Sequence, residues 1–263
     1  MTAGFLQRIL ACKREEIAQA KTLVSEKQLR AEAEAAPPVR DFLAALEGGP
    51  PIRLIAELKK ASPSKGLLRA DYQPETIAQI YQQHGAACLS VLTDPEFFQG
   101  SLSDLQRVRA TVHLPILRKD FILDPYQILQ ARAAGADAVL LIAECLEDAL
   151  LAQLYREVLA WGMTPLVELH EPENLPRVLR LGARLIGLNN RNLQTLEVDL
   201  EQAIRLRPKI PSECVVVAES GIRTHQDVLR LQDAGIQAML VGEAFMSEPD
   251  IGAAVDRLLG RGP

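Results

Sequence analysis

Cysteine is scarce in this chain and scattered. Cys12, Cys88, Cys145 and Cys214 form no Cys-x-x-Cys pair and no cluster with histidine, so neither a zinc site nor a disulfide framework is expected. Unpaired thiols fit a reducing compartment, and the cytoplasm is the expected location. A basic surplus is missing too: the formal net charge is −5, which gives a polyanion nothing to bind and argues against nucleic acid as a partner. Long apolar runs are absent. Stretches such as Ala138–Ala143 are far too short to cross a bilayer, and Arg8, Lys13, Arg14, Glu15 and Glu16 interrupt anything resembling a signal peptide. There is no Gly-x-Gly-x-x-Gly, which removes the fingerprint of an open dinucleotide-binding sheet.

What is present is a recurring phrase: glycine, a small or apolar residue, one or two variable residues, then a short apolar run. It begins at Gly85, Gly135, Gly182 and Gly235, a period of roughly 50 residues. Glycine just past a helix adopts a left-handed cap without steric cost, and a non-alternating apolar run is the mark of a strand buried on both faces. Four more such runs lie between these phrases, at Leu54–Leu58, Pro115–Lys119, Thr164–Leu169 and Cys214–Glu219. Helix-period patterns fill the gaps at Pro74–His84, Ser101–Thr111, Pro125–Ala134, Leu146–Ala160, Pro172–Leu181, Asp199–Arg207, Thr224–Ala234 and Pro249–Leu259. Pro74, Pro125, Pro172 and Pro249 suit a first helical position, and Ser101 and Thr224 suit N-caps. Strand alternating with helix eight times predicts an α/β fold, a closed parallel (β/α)8 TIM barrel over residues 51–263, within a single domain.

Residues 1–50 fall outside that count and are expected to form a helical extension packed on one mouth of the barrel. Phe5–Ser25 reads as an amphipathic helix and Asp41–Leu46 as a short one, followed by the breaker Gly48-Gly49-Pro50-Pro51. Ala31–Pro38, small, charged and ending in proline, has the composition of a flexible stretch.

Barrel enzymes carry their chemistry where strands end, so the strand pattern doubles as a search pattern. Glu57, Lys119, Glu168 and Glu219 each lie within or directly after an apolar run, where a charge is costly unless partnered. One such residue is ordinary; four, of both signs, meeting in one mouth indicate a functional site. The loops Ala218-Glu219-Ser220-Gly221-Ile222 and Leu240-Val241-Gly242-Glu243-Ala244 place glycines where backbone N–H groups can approach a phosphate, as barrels commonly arrange after the seventh and eighth strands. His84, His113, His170 and His225 lack ligand spacing, Trp161 and Phe97 read as core, and Lys13–Glu16 reads as a solvated helix face.

Several of these segments together resemble the signature of the indole-3-glycerol-phosphate synthases. They are Ile55-Ala56-Glu57-Leu58-Lys59-Lys60-Ala61-Ser62-Pro63-Ser64-Lys65-Gly66, Ser90-Val91-Leu92-Thr93-Asp94 with Phe97-Phe98-Gln99-Gly100-Ser101, and Pro115-Ile116-Leu117-Arg118-Lys119-Asp120-Phe121. Gly187-Leu188-Asn189-Asn190-Arg191-Asn192-Leu193 and Ala218–Ile222 complete the match, in order along the barrel. That family converts 1-(2-carboxyphenylamino)-1-deoxyribulose 5-phosphate to indole-3-glycerol phosphate in tryptophan biosynthesis, releasing CO2 and water.

The resemblance implies that Lys119 is the general acid of ring closure and that Glu168, Glu57 and Lys59 serve the loss of water, with the choice of base left open. It implies that Asn189 and Glu219 position substrate hydroxyls and lysine side chains, and that Arg191 lies near the substrate carboxylate. Phosphate falls to Lys59, Ser220, Gly221, Gly242 and the Glu243 backbone. The ring is walled by Phe98, Phe121, Leu140 and Pro63, with Ser62 and Ser64 in the same substrate-binding loop. No cofactor or metal is implied, and the partner is a small phosphorylated substrate. Ala244 departs from relatives that carry serine there. The chain ends soon after the eighth helix, so no fused phosphoribosylanthranilate isomerase domain is expected. A monomer is the simpler expectation for its assembly. Two alternatives stay open at this point: an aldose–ketose isomerase on the same fold, and a silent barrel that binds a phosphorylated metabolite or a protein.

Overall fold

The structure is a computed structural model and describes residues 4–48, 50–192 and 195–262; Gly49 of the expected breaker and Leu193 of the sixth-strand motif lie outside them. Eight parallel strands close on themselves: β1 (Arg53–Leu58), β2 (Cys88–Leu92), β3 (Ile116–Lys119), β4 (Ala138–Ile142), β5 (Thr164–Leu169), β6 (Leu185–Asn189), β7 (Val215–Glu219) and β8 (Ala238–Val241). Closure is direct, since β1 pairs with both β2 (Ile55 opposite Cys88) and β8 (Ile55 opposite Leu240).

All eight strands come from the apolar runs seen in the sequence, and their burial explains why those runs do not alternate. One face of each strand meets the barrel interior and the other meets the helices, so both are dry. Within the interior, residues two apart share a face. Ile55, Leu117, Leu166 and Val217, from β1, β3, β5 and β7, are buried in a single apolar cluster. Two residues further on, the same four strands present Glu57, Lys119, Glu168 and Glu219. The polar site is thus the top layer of a packed core and inherits its rigidity.

Most helix starts also follow the sequence. Pro74 and Pro125 open their helices at the first position, and the hydroxyls of Ser101 and Thr224 accept from Asp104 N and Asp227 N. Pro249 does not fill that position: the last helix runs Ile251–Leu258 and is capped by Asp250, whose carboxylate accepts from Ala253 N. Pro172 opens a short 3-10 turn, and the α-helix proper begins at Leu175.

The extension differs from expectation in two ways. Its first helix, α1 (Phe5–Leu23), is followed by a second, α2 (Glu26–Ala35), so most of the stretch whose composition suggested flexibility is helical. Ser25 caps α2, and Leu29 and Ala33 bury against Tyr126 and Leu129 of the helix Pro125–Ala133. Every residue of α2 has high helix propensity, and burial of one apolar stripe fixes the helix against the barrel. Secondly, the extension touches both mouths. Short helix α3 (Phe42–Leu46) plugs the mouth where strands begin, with Cys88 Sγ directed at the Phe42 carbonyl at 3.8 Å. Helix α1 lies at the other mouth, where Phe5, Leu6 and Ile9 line the cavity described next.

Among the described residues, no helix is long and apolar enough to cross a membrane, and no cluster of histidine, cysteine or acidic residues could hold a metal ion.

Candidate active site

A cavity of about 490 Å³ opens at the C-terminal ends of the strands. Every site residue singled out in the sequence lines it. Glu57 and Lys59 come from β1 and its end; Ser62, Pro63 and Ser64 come from the loop after β1. Phe98 follows β2, and Lys119 and Phe121 come from β3 and its loop. Leu140 belongs to β4, Glu168 to β5, and Asn189 and Arg191 to β6 and its loop. Glu219, Ser220 and Gly221 follow along β7, and Gly242 and Glu243 follow β8.

Lys119 is the centre. Its Nζ lies 2.8 Å from Glu168 Oε2 and 3.1 Å from Glu219 Oε2. Asn189 Nδ2 donates to the other Glu168 oxygen at 2.9 Å, so that carboxylate is held from two sides. Burial alone would lower the Lys119 pKa, but Glu168, then Glu219 and Glu57, outweigh it and hold the ammonium above the usual lysine range. Glu168 sits below its ordinary value: burial pushes up, and Lys119 and the Asn189 amide outweigh it. Glu219 goes the other way, to about 8, because burial and the neighbouring Glu168 charge both oppose its ionisation. The two carboxylates titrate as a pair around one cation. Glu219 Oε1 is buried without a hydrogen-bond partner, in the space beside Gly187.

The same layer depends on absent side chains. A Cβ on Gly187 would overlap Glu219 Oε1, and a Cβ on Gly242 would overlap Glu57 Oε2. These two glycines make room for the Glu219 and Glu57 carboxylates, a reason distinct from backbone freedom.

On the β1 side, Lys59 Nζ lies 2.6 Å from Glu57 Oε2. The loop after β1 folds into a short ribbon pairing Ala61–Ser62 with Gly66–Leu67, which carries Pro63 and Ser64 at its tip. After β7, Ser220 and Gly221 both take positive φ, +66° and +82°. For serine that conformation is costly, and the loop is held there by Asn190, whose side-chain amide donates to the Ser220 carbonyl at 3.0 Å. Arg191 reaches Glu243 Oε2 at 3.5 Å, spanning the mouth between the loops after β6 and β8. Opposite these groups, the rings of Phe98 and Phe121 stand 6.4 Å apart, tilted by 38°, with Leu140 on the cavity floor. The cavity thus combines aromatic rings from the loops after β2 and β3 with paired charges from the strand ends and loops of β1, β6, β7 and β8.

The family profile described as Indole-3-glycerol phosphate synthase matches residues 6–258. The chain belongs to the indole-3-glycerol phosphate synthase family. Among its relatives, a protein of that name from Rhodopirellula baltica is 54% identical over 254 residues, covering 97% of this chain and 98% of the relative. Another from Polaromonas naphthalenivorans is 50% identical over 262 residues, covering 98% and 99%. Among solved structures, 3-hexulose-6-phosphate synthase superposes with a TM-score of 0.63 at 16% identity, covering 81% of this chain and 100% of that one. At that identity the likeness shows the barrel fold alone.

In this indole-3-glycerol phosphate synthase family member, one sequence expectation about the site is corrected. Lys13 does not lie on a solvated helix face. Its side chain is 1% exposed, and its Nζ contacts Glu16, Asp94 and Asp120 at 2.7, 2.9 and 2.9 Å, while Arg14 and Glu15 on the same turn do face solvent. A run of charges gives no sign of which member turns inward. The one available signal was spacing: Lys13 falls on the stripe of Leu6, Ile9, Leu10 and Ile17, the buried face of α1. The cavity-lining role of Phe5, Leu6 and Ile9 was likewise missed, because an amphipathic pattern says that a face is buried and not against what.

Proposed function

We propose that this chain converts 1-(2-carboxyphenylamino)-1-deoxyribulose 5-phosphate to indole-3-glycerol phosphate, acting as a carboxy-lyase of tryptophan biosynthesis. The observation that carries the reading is Lys119, an ammonium fixed between two carboxylates in a cavity that also holds a pair of aromatic rings and the glycine-bearing loops after β7 and β8.

The chemistry suits that placement. The carboxylate-bearing aryl carbon attacks the ribulose carbonyl carbon, and the carbonyl electron pair moves to oxygen. Lys119 Nζ donates a proton there, forming the hydroxyl. Its raised pKa keeps it charged when substrate arrives, and the alkoxide being formed is a stronger base than any lysine amine, so the transfer still runs downhill. CO2 then leaves from the aryl carbon, returning its electron pair to the ring. Loss of water requires an acid at the new hydroxyl and a base at the adjacent C–H. Lys59, Glu57 and Glu168 are the groups within the cavity for those steps.

Binding divides between the two ends. Phe98, Phe121, Leu140 and Pro63 hold the aromatic ring in a flat apolar slot. Lys59 and the backbone N–H groups of the Ser220-Gly221 and Gly242-Glu243 loops take the phosphate, with Ser62 and Ser64 at the slot entrance. Arg191 takes the ring carboxylate, Asn189 and Glu219 the ribulose hydroxyls. No metal or organic cofactor enters the scheme. A monomer is kept as the simpler working unit, and the unpaired thiols support a cytoplasmic setting. The test is fluorescence: purified protein and the anthranilate-derived ribulose phosphate should give rising indole emission, and a flat trace with intact substrate would overturn the proposal.

A further inference from the structure

Lys13 takes no part in that chemistry, yet it is among the most deeply buried charges in the molecule. Its ammonium joins three segments. From α1 it reaches Asp94 Oδ2, on the loop after β2, and Asp120 Oδ1, on the loop after β3, both at 2.9 Å. Each aspartate passes that position on to an aromatic ring. The other Asp94 oxygen accepts from Phe97 N at 2.7 Å and caps the turn Pro95–Phe98 that carries Phe98. Asp120 Oδ1 accepts from Phe121 N at 2.8 Å. The remaining Asp120 oxygen takes the Thr93 hydroxyl at 2.6 Å and Arg118 Nη2 at 3.0 Å, so neither oxygen of Asp120 is free to swing. Phe5 of the same helix stacks edge-on against Phe97 at 6.0 Å and closes the outer side.

We propose that Lys13 is a positioning residue for the aromatic slot, setting the spacing of Phe98 and Phe121 by pinning Asp94 and Asp120 to one ammonium. The proposal deepens the ring-closure reading and rests on it for the identity of the ring. A long side chain ending in a point charge suits this task, because one ammonium can accept several carboxylate partners at once. The slot is the end of the cavity that must align an aryl carbon with the carbonyl above Lys119. Among the described residues, no hydrogen bond or ion pair links Lys13, Asp94 or Asp120 to the loops after β7 and β8.

The experiment compares wild type, Lys13→Met and Lys13→Arg by equilibrium binding of two probes, anthranilate for the slot and inorganic phosphate for the opposite end, with turnover measured in parallel. In Lys13→Met, anthranilate should bind about 10-fold more weakly and the KM for the ribulose phosphate should rise by a similar factor, with phosphate binding within about two-fold of wild type. Lys13→Arg, which keeps the charge, should recover part of the loss.

Because Lys13→Met leaves buried carboxylates facing one another and can fail to fold, Asp94→Asn is the second variant. It keeps an oxygen to cap Phe97 and weakens only the grip on Lys13, and it should shift anthranilate in the same direction without shifting phosphate. Equal weakening of both probes, an unchanged anthranilate affinity, or no anthranilate binding by wild type would each overturn the proposal. Failure of the ring-closure reading shows separately, as a wild-type protein that binds both probes and makes no indole product.

Discussion

Gly187 and Glu219 compete for one volume. They lie on neighbouring strands, and the missing side chain of Gly187 is filled by the Glu219 carboxylate, whose other oxygen lies 3.1 Å from Lys119 Nζ. A methyl group on β6 is therefore incompatible with the charge arrangement on β7. Gly187→Ala should fold, with an overpacking cost of about 1–3 kcal/mol. Its turnover should fall about 100-fold by displacing Glu219 from Lys119. Steady-state kinetics alongside thermal unfolding check this; wild-type turnover would mean the Glu219 position is unimportant.

Removing the central cation should separate chemistry from binding. Lys119→Met is expected to abolish indole formation while substrate still binds, because the ring slot and phosphate loops stay in place. It also leaves Glu168 and Glu219 facing each other without a counter-ion. The variant's melting temperature should therefore improve, relative to wild type, as pH falls and one of the two takes up a proton. Single-turnover fluorescence and melting curves at two pH values measure both effects.

Glu168 is the carboxylate best held for proton transfer, gripped by Lys119 and by Asn189. Glu168→Gln keeps the size and should slow product formation by about 100-fold or more. Unaltered rates would move the base to Glu57.

The raised pKa of Glu219 has a defined effect on stability. Its folded value is about 8 against an ordinary 4.5, so the native state binds this proton more tightly than the unfolded chain does. That contribution is fully present below pH 4.5 and is lost as pH rises towards 8. Glu168, lowered in the folded state, contributes oppositely: its stabilisation is present above 4.5 and is lost as pH falls through its depressed value. Because the two carboxylates titrate as a pair, it is the pair that loses stabilisation as pH rises between 5 and 8, with a slope of at most about 1.4 kcal/mol per pH unit. Glu219→Gln should flatten that decline in urea-denaturation measurements, and an equal slope in both proteins would place the proton elsewhere.

The barrel was legible because its strands are buried on both faces. Burial of that kind leaves unbroken apolar runs, and a charge such as Glu168 at the end of one stands out against them. The glycine-bearing loops after β7 and β8 stood out only as a pair at neighbouring strand ends, since either alone reads as an ordinary tight turn. Helix α2 was misread as flexible from its charge and its closing prolines, although its residues are all strong helix formers behind the Ser25 cap. What the sequence did not show is that Leu29 and Ala33 bury against Tyr126 and Leu129. Lys13 was hidden by its charged neighbours.

The sequence by itself determined the eight-fold alternation of elements, their order, and which charges sit at strand ends, since these follow from local periodicity and from what each residue costs to bury. Only the tertiary structure decided which charges meet. Lys119 and Glu219 are brought to 3.1 Å by ring closure and strand register, and Lys13 finds Asp94 and Asp120 because α1 folds back over the mouth of the barrel. Such pairings are set by distances across space between segments far apart in the chain, and no local pattern encodes them.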